Sequence, residues 1–368
     1  MYNRRLTLLS LVVLLIAGLA PIHAAQSQSP KNVILLIGDG MGVSQVVLAR
    51  LTLDKPLNMD SMPHTAFVKT YSANSTVSDS AAAGTALATG YKTNNGMIST
   101  LPDGKQVQTI LEVAEKMGKS TGLVTTVLIT DATPAVFGSH VPSRKQQADI
   151  APQFVQEKIE VVLGGGKQFF IPKSQPESKR EDERDVIGEA KSAGYGFVET
   201  RDALIAAKGS RLLGLFDLGA MTTEPPEPTL AEMADKAISM LSADKDGFFV
   251  MIEGGQIDWK CHANDAPGAV KQVLDFDAAV GKALDFARKH KDTLVIVTAD
   301  HETGGLSILG SEEGGSGFTP AFATKSHSAV NVPLFAFGPG SEIFDGVMEN
   351  TDVPKRIAQL WGIKGFAK

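Results

Sequence analysis

Five carboxylates stand just beyond four apolar runs of the chain. Asp39 follows Val33–Ile37, Asp131 follows Leu123–Val127, Glu253 and Asp258 follow Phe248–Ile252, and Asp300 follows Leu294–Val297. His301 adjoins the last of them, Thr133 lies two residues past Asp131, and His262 and His327 come later in the chain. Taken singly, each has an ordinary reading: Asp39-Gly40 as a turn, Asp131 as a helix cap, His262 as a loop residue. Together on one rim, the carboxylates would repel one another and hold protons unless cations lay among them. A multi-metal centre is therefore expected. Imidazole with carboxylate suits zinc, and an all-oxygen set suits magnesium. Asp258, His262 and His327 make one candidate zinc site, and Asp39, Asp300 and His301 the other, with Ser80 completing it. Glu253, Thr133 and a second oxygen of Asp39 make the candidate magnesium site. Ser80 opens the alanine-rich stretch Ser80–Ala83, where a helix start favours an anion and a neighbouring zinc would make the hydroxyl nucleophilic.

These residues share a rim only if the apolar runs are parallel strands of one sheet, because loops at the carboxyl ends of such strands converge. The runs are near-continuously apolar, as strands buried on both faces are. Between them the sequence predicts helices at Ala81–Thr89, Thr109–Met117 with Gly118 as its stop, Thr229–Leu241 and Ala269–His290. The fold class is α/β, a central mostly parallel sheet flanked by helices on both faces. Val332–Phe337 is expected as an edge strand, since Pro333 lacks a donor. Gly164–Gly166 reads as a tight turn, because the Lys-Ser/Thr ending of a phosphate loop is missing. Lys173–Asp185 reads as an exposed segment without chemistry, and Gly310–Gly317 as a surface loop. Cys261 reads as a buried bystander, and His64 and His290 as surface residues.

Arg4 and Arg5, the apolar run Leu6–Ala20 and the small residues Ala24-Ala25 form a secretory signal peptide, residues 1–24, which leaves 25–368 as a single domain. The run is short and interrupted for a bilayer span, so no membrane association is expected after cleavage. A net charge of −6 without long basic runs argues against a nucleic acid as partner. A single cysteine among 368 residues excludes an internal disulfide, leaving packing and bound metal to stabilise the fold.

The motifs Ile37-Gly-Asp39-Gly-Met-Gly42, Asp79-Ser80-Ala81, Asp131-Ala-Thr133-Pro134, Glu253-Gly-Gly-Gln-Ile-Asp258 and Thr298-Ala-Asp300-His301, with the late His327, resemble those of the alkaline phosphatases, in the family's order and from about Lys31 onward. The resemblance implies hydrolysis of small phosphate monoesters through a phosphoserine on Ser80, with two zinc ions and one magnesium ion. It implies that Asp39 bridges to the magnesium, that Asp131 touches it through water, and that Arg144 clamps the phosphate. A periplasmic or extracellular location and a homodimer are the corresponding expectations. Trp259 departs from the best-studied bacterial pattern, which has lysine there, and Lys260 is one residue too late to replace it. The chain is short, which implies that insertions forming a dimer crown in some relatives are reduced. His140 is expected to support the site from behind. Phosphodiesterases and sulfatases of the same superfamily share parts of this rim, but Arg144 and the Glu253–Thr133 set argue against them. An intact Ser80 beside the ligand set argues against a non-catalytic phosphate- or metal-binding protein.

Overall fold

The computed structural model describes residues 29–310 and 317–368; residues 1–24, expected as a signal peptide, and the greater part of the Gly310–Gly317 loop lie outside them. The strands are β1 (Asn32–Gly38), β2 (His64–Lys69), β3 (Ser120–Leu128), β4 (Val161–Gly165), β5 (Gly196–Val198), β6 (Leu212–Leu215), β7 (Phe248–Gly254), β8 (Thr293–Thr298), β9 (Glu302–Thr303), β10 (Leu306–Gly310), β11 (Phe318–Phe322), β12 (His327–Ser328), β13 (Val332–Phe337) and β14 (Gly346–Glu349). Ten of them form one sheet in the order β14-β2-β13-β8-β1-β7-β3-β4-β6-β5. Only β13 runs against the rest. The central strands β1, β7 and β8 are buried along their whole length, as their unbroken apolar runs require.

Two sets of helices sandwich the sheet. Leu230–Leu241 packs on Ala266–Lys289, and Ser80–Thr89 packs on Ala132–Gly138 with Ile110–Lys116 beyond. Both sets rest on β3 and β7 while packing within themselves, which puts them on opposite faces. The helix starts have local causes. Thr109 with Glu112 and Thr229 with Glu232 form capping boxes, and Asp79 accepts from the Ala82 amide ahead of Ser80–Thr89.

Three expectations need correction. β13 is an interior strand between β8 and β2, despite Pro333. Its ladder to β8 covers only Phe335–Phe337, so the missing donor of Pro333 costs no bond there, and the Pro333 carbonyl accepts from Thr298 Oγ1 at 3.0 Å. Gly164 and Gly165 belong to β4, and the turn begins at Gly166, whose φ of +90° suits glycine. Its amide donates to the Gly219 carbonyl, which explains the glycines by a crossing chain and not by a phosphate. His64 is half-buried against Asp345 at 2.8 Å, whereas His290 is exposed as expected.

Candidate metal centre

Register alone brings the carboxylates together. Ile37 of β1 pairs with Glu253 of β7 on one side and with Thr298 of β8 on the other. Asp39 and Asp300, each two residues further on, therefore stand level at the rim, with Glu253 one strand away. Gly40 allows the approach: its φ is +72°, and a Cβ there would come within 2.9 Å of the Asp258 backbone. Its amide donates to Asp300 Oδ1 at 3.2 Å.

The first cluster is Asp258, His262 and His327. The helix Gln256–His262 sets Asp258 and His262 one turn apart, and the β12–β9 ribbon brings up His327. Each histidine donates its Nδ1–H to a backbone carbonyl, Lys325 for His262 at 2.6 Å and Ser78 for His327 at 2.8 Å. A carbonyl only accepts, so in the neutral rings both Nε2 lone pairs point inward, and the two atoms lie 3.2 Å apart. Asp258 oxygens lie 3.2 Å from one and 3.6 Å from the other. Without a cation the strain is divided unequally. The Asp258 carboxylate pushes His262 up to about 9, while burial and the neighbouring His301 hold His327 down. Burial opposes ionisation of Asp258, yet hydrogen bonds from His262 and Thr303 keep it down at about 2. A divalent ion would take the proton's place with all three ligands ionised or neutral as it needs.

The second cluster surrounds His301 Nε2, with Ser80 Oγ at 3.2 Å, Asp300 Oδ2 at 3.3 Å and Asp39 Oδ1 at 3.5 Å. The donor atoms of Asp39, Asp300 and His301 all lie within 4.8 Å of one another. Asp39 Oδ1 and Asp300 Oδ2 are buried without a hydrogen-bond partner. Such orphaned oxygens are costly in a finished interior and are what an ion would satisfy. Burial raises Asp39 well above the usual carboxylate range, and the charges of Asp300, Asp258 and Glu253 raise it further. The residues fit divalent metal in both clusters. Their rings are also close, since His301 stacks on His327 with centroids 3.6 Å apart.

Glu253 is the centre of the oxygen-only set. Burial drives its carboxyl up to about 8 against a hydrogen bond from Thr125, with the charges of Asp131 and Asp300 adding to the rise. Thr133 Oγ1 is a third buried orphan. Asp131 caps the helix Ala132–Gly138 and accepts from Arg144 Nη2 at 2.9 Å, while Arg144 Nη1 reaches Asp79 at 3.4 Å. Arg144 thus bridges the cap of the Ser80 helix and the Asp131 motif. The ten residues picked from the sequence as metal ligands, Ser80 among them, meet at this rim together with Arg144.

Two participants were missed by sequence reasoning. Thr303 Oγ1 donates to Asp258 Oδ1 at 2.5 Å and so accepts from His301 Nδ1, 3.3 Å away, which ties the two clusters together. The buried Glu302 carboxylate accepts from Gln45 Nε2 at 2.8 Å, from the Leu306 and Gly305 amides at 3.1 Å, and from Ser328 Oγ. It clasps the segments carrying His301 and His327. The signal was their place directly after Asp300-His301. His140, expected to back the site, turns elsewhere: it pairs with Glu112 at 2.7 Å and with the Ser99 carbonyl at 2.9 Å. Cys261 is buried, with Gln45 as its hydrogen-bond partner, and burial pushes its thiol up to about 12.

A family model for alkaline phosphatase matches residues 30–321. The chain is 41% identical to alkaline phosphatase 3 of Bacillus subtilis (strain 168) over 368 residues, which cover 93% of this chain and 75% of the relative. Its fold is similar to the solved alkaline phosphatase of the Antarctic bacterium TAB5, with a TM-score of 0.85 and 37% identity over 92% of this chain and 100% of that one. A mutant of the TAB5 enzyme, solved with magnesium bound in its M3 site, superposes with a TM-score of 0.83 at 37% identity over 91% of this chain and 99% of that one. By sequence, fold and the chemistry of its rim, the chain belongs to the alkaline phosphatase family and is a phosphoric monoester hydrolase.

Proposed function

We propose that the chain hydrolyses phosphate monoesters through a phosphoserine on Ser80, with zinc held by Asp258, His262 and His327 and by Asp39, Asp300 and His301, and magnesium by Glu253, Thr133 and Asp39, with Asp131 nearby. The observation that carries this reading is Ser80 Oγ at 3.2 Å from His301 Nε2, beside the orphaned oxygens of Asp39 and Asp300. Bound there, divalent ions would acidify the serine hydroxyl and offset charge on the departing alcohol oxygen. Ser80 Oγ forms a bond to phosphorus as the ester P–O bond breaks, and the alcohol leaves with the electron pair. Water then cleaves the phosphoserine and inorganic phosphate departs. The start of the Ser80–Thr89 helix offers its amides and dipole to the phosphate. Arg144 exchanges its Asp79 and Asp131 partners for two phosphate oxygens.

Residues 1–24 act as an export signal in this reading, and 25–368 work as one catalytic unit in the periplasm or outside the cell, as a homodimer. Among the described residues no helix is long and apolar enough to cross a membrane. The test is hydrolysis of nitrophenyl phosphate across pH, before and after chelation. Activity should vanish on chelation and return fully only with zinc and magnesium together. Turnover indifferent to chelation, or faster on a diester or a sulfate ester, would overturn the reading.

A further inference from the structure

β2 and β13 are antiparallel neighbours, so the loop leaving β2 and the loop entering β13 meet at the rim that carries Ser80. Between them runs a groove of about 540 Å³, lined among others by Thr70, Tyr71, Asn74, Thr76 and Asn331. Its walls adjoin, along the chain, the segments that carry the centre. Ala329 lies two residues past His327, and Thr76 four residues before Ser80. At roughly 3.5 Å per residue, Ala329 is within about 7 Å of His327 and Thr76 within about 14 Å of Ser80.

An in-line displacement sends the alcohol away from the attacking oxygen, which in the proposed scheme is toward the cluster that includes His327. The strand after His327 leads into the groove. The lining there is chemically distinctive. Six of its ten lining residues carry an aliphatic hydroxyl or an amide, and Thr70 Oγ1 is a buried hydroxyl without a partner. Tyr71 supplies one aromatic ring, 44% exposed, held in place by Lys92 with its ammonium 3.8 Å from the ring centroid. A nucleobase buries two apolar faces and calls for a slot between rings. A sugar presents one apolar face to a single ring and many hydroxyls to donors and acceptors of this kind.

We propose that this groove is the leaving-group subsite and that it recognises polyhydroxylated alcohols, so that sugar phosphates are the preferred monoesters. The inference rests on Ser80 as the nucleophile. Binding energy gained there, remote from phosphorus, is available to the transition state.

The metal-loaded enzyme and its Tyr71→Ala/Asn331→Ala variant should be compared on glucose 6-phosphate, on ethyl phosphate, whose alcohol has no further hydroxyl and no sugar face to offer the groove, and on adenosine 5′-monophosphate. Both changed residues are exposed, and unchanged turnover of ethyl phosphate reports an intact fold and centre. The expected result is a roughly ten- to thirtyfold fall in kcat/KM for glucose 6-phosphate, from one stacking contact and one hydrogen bond, with ethyl phosphate unchanged. No change on the sugar phosphate would overturn the subsite, as would equal loss on all three substrates. A loss confined to the nucleotide would overturn the substrate class. Absence of phosphate on Ser80 in the wild type during ethyl phosphate turnover would instead remove the nucleophile on which the inference rests.

Discussion

Arg144 is held by two carboxylates, tightly by Asp131 at 2.9 Å and loosely by Asp79 at 3.4 Å. Its side chain is 30% exposed, so a phosphate can reach the fork from solvent. Arg144→Lys keeps the charge but loses the two parallel donors. At about 1.5–3 kcal/mol for a charge-assisted hydrogen bond, kcat/KM for monoesters should fall by roughly one to two decades. Metal content and unfolding temperature should stay near wild type. Diesters offer one free oxygen fewer and should lose less, and steady-state kinetics showing equal losses would mean that Arg144 does not read the dianion. Trp259 is 42% exposed beside Asp258, and Lys260 lies 3.9 Å from Asp265. Neither supplies a second fork beside Arg144.

At the scale of elements, the β9–β12 ribbon and the Glu302 clasp fix two metal-facing histidines at once. Glu302→Ala removes the acceptor of the Leu306 and Gly305 amides, of Ser328 Oγ and of one N–H of Gln45, whose Nε2 keeps the Thr303 carbonyl, at about 1–3 kcal/mol for each donor left buried and unpaired, with incomplete additivity. The chelated protein should unfold several degrees lower, and zinc affinity should drop, while Glu302→Gln, which keeps an acceptor, should recover part of both. Chelator competition together with thermal unfolding would check this. Equal behaviour of the alanine and glutamine variants would mean that the clasp does not act through its hydrogen bonds. This ribbon also marks where sequence reading stopped. The buried strands β1, β3, β7 and β8 were legible because their apolar runs are unbroken, and the carboxylates because each follows such a run. Helix starts were legible to within a few residues, since Thr109, Thr229 and Asp79 cap them. The interior place of β13 was not, because Pro333 gives a local signal and the pairing that tolerates it is tertiary. Glu302 and Thr303 were passed over for the same reason, since the atoms they serve come from segments far away in sequence.

Over the whole molecule, the chief liability is charge gathered on one rim of a well-packed sheet. In the metal-free chain Glu253 is raised to about 8, and Asp39 is raised as well, both first by burial. For groups raised in the folded state, the folded chain holds more protons than the unfolded one between the two pKa values, so stability falls as pH rises through that window. His262, raised to about 9 by Asp258, acts in the same direction. The chelated protein should therefore lose unfolding temperature steadily from about pH 4.5 to 9, whereas the metal-loaded protein should not, and calorimetry at several pH values would show the gap between them widening. A constant gap would mean that metal does not relieve the buried charge. Whether this rim activates Ser80 is read by acid quenching of the metal-loaded enzyme during turnover of a labelled monoester, followed by peptide mapping. One labelled phosphoryl group per chain is expected, on Ser80, absent from the chelated protein and from Ser80→Ala. Label on any other residue, or on Ser80 with the metals removed, would contradict it.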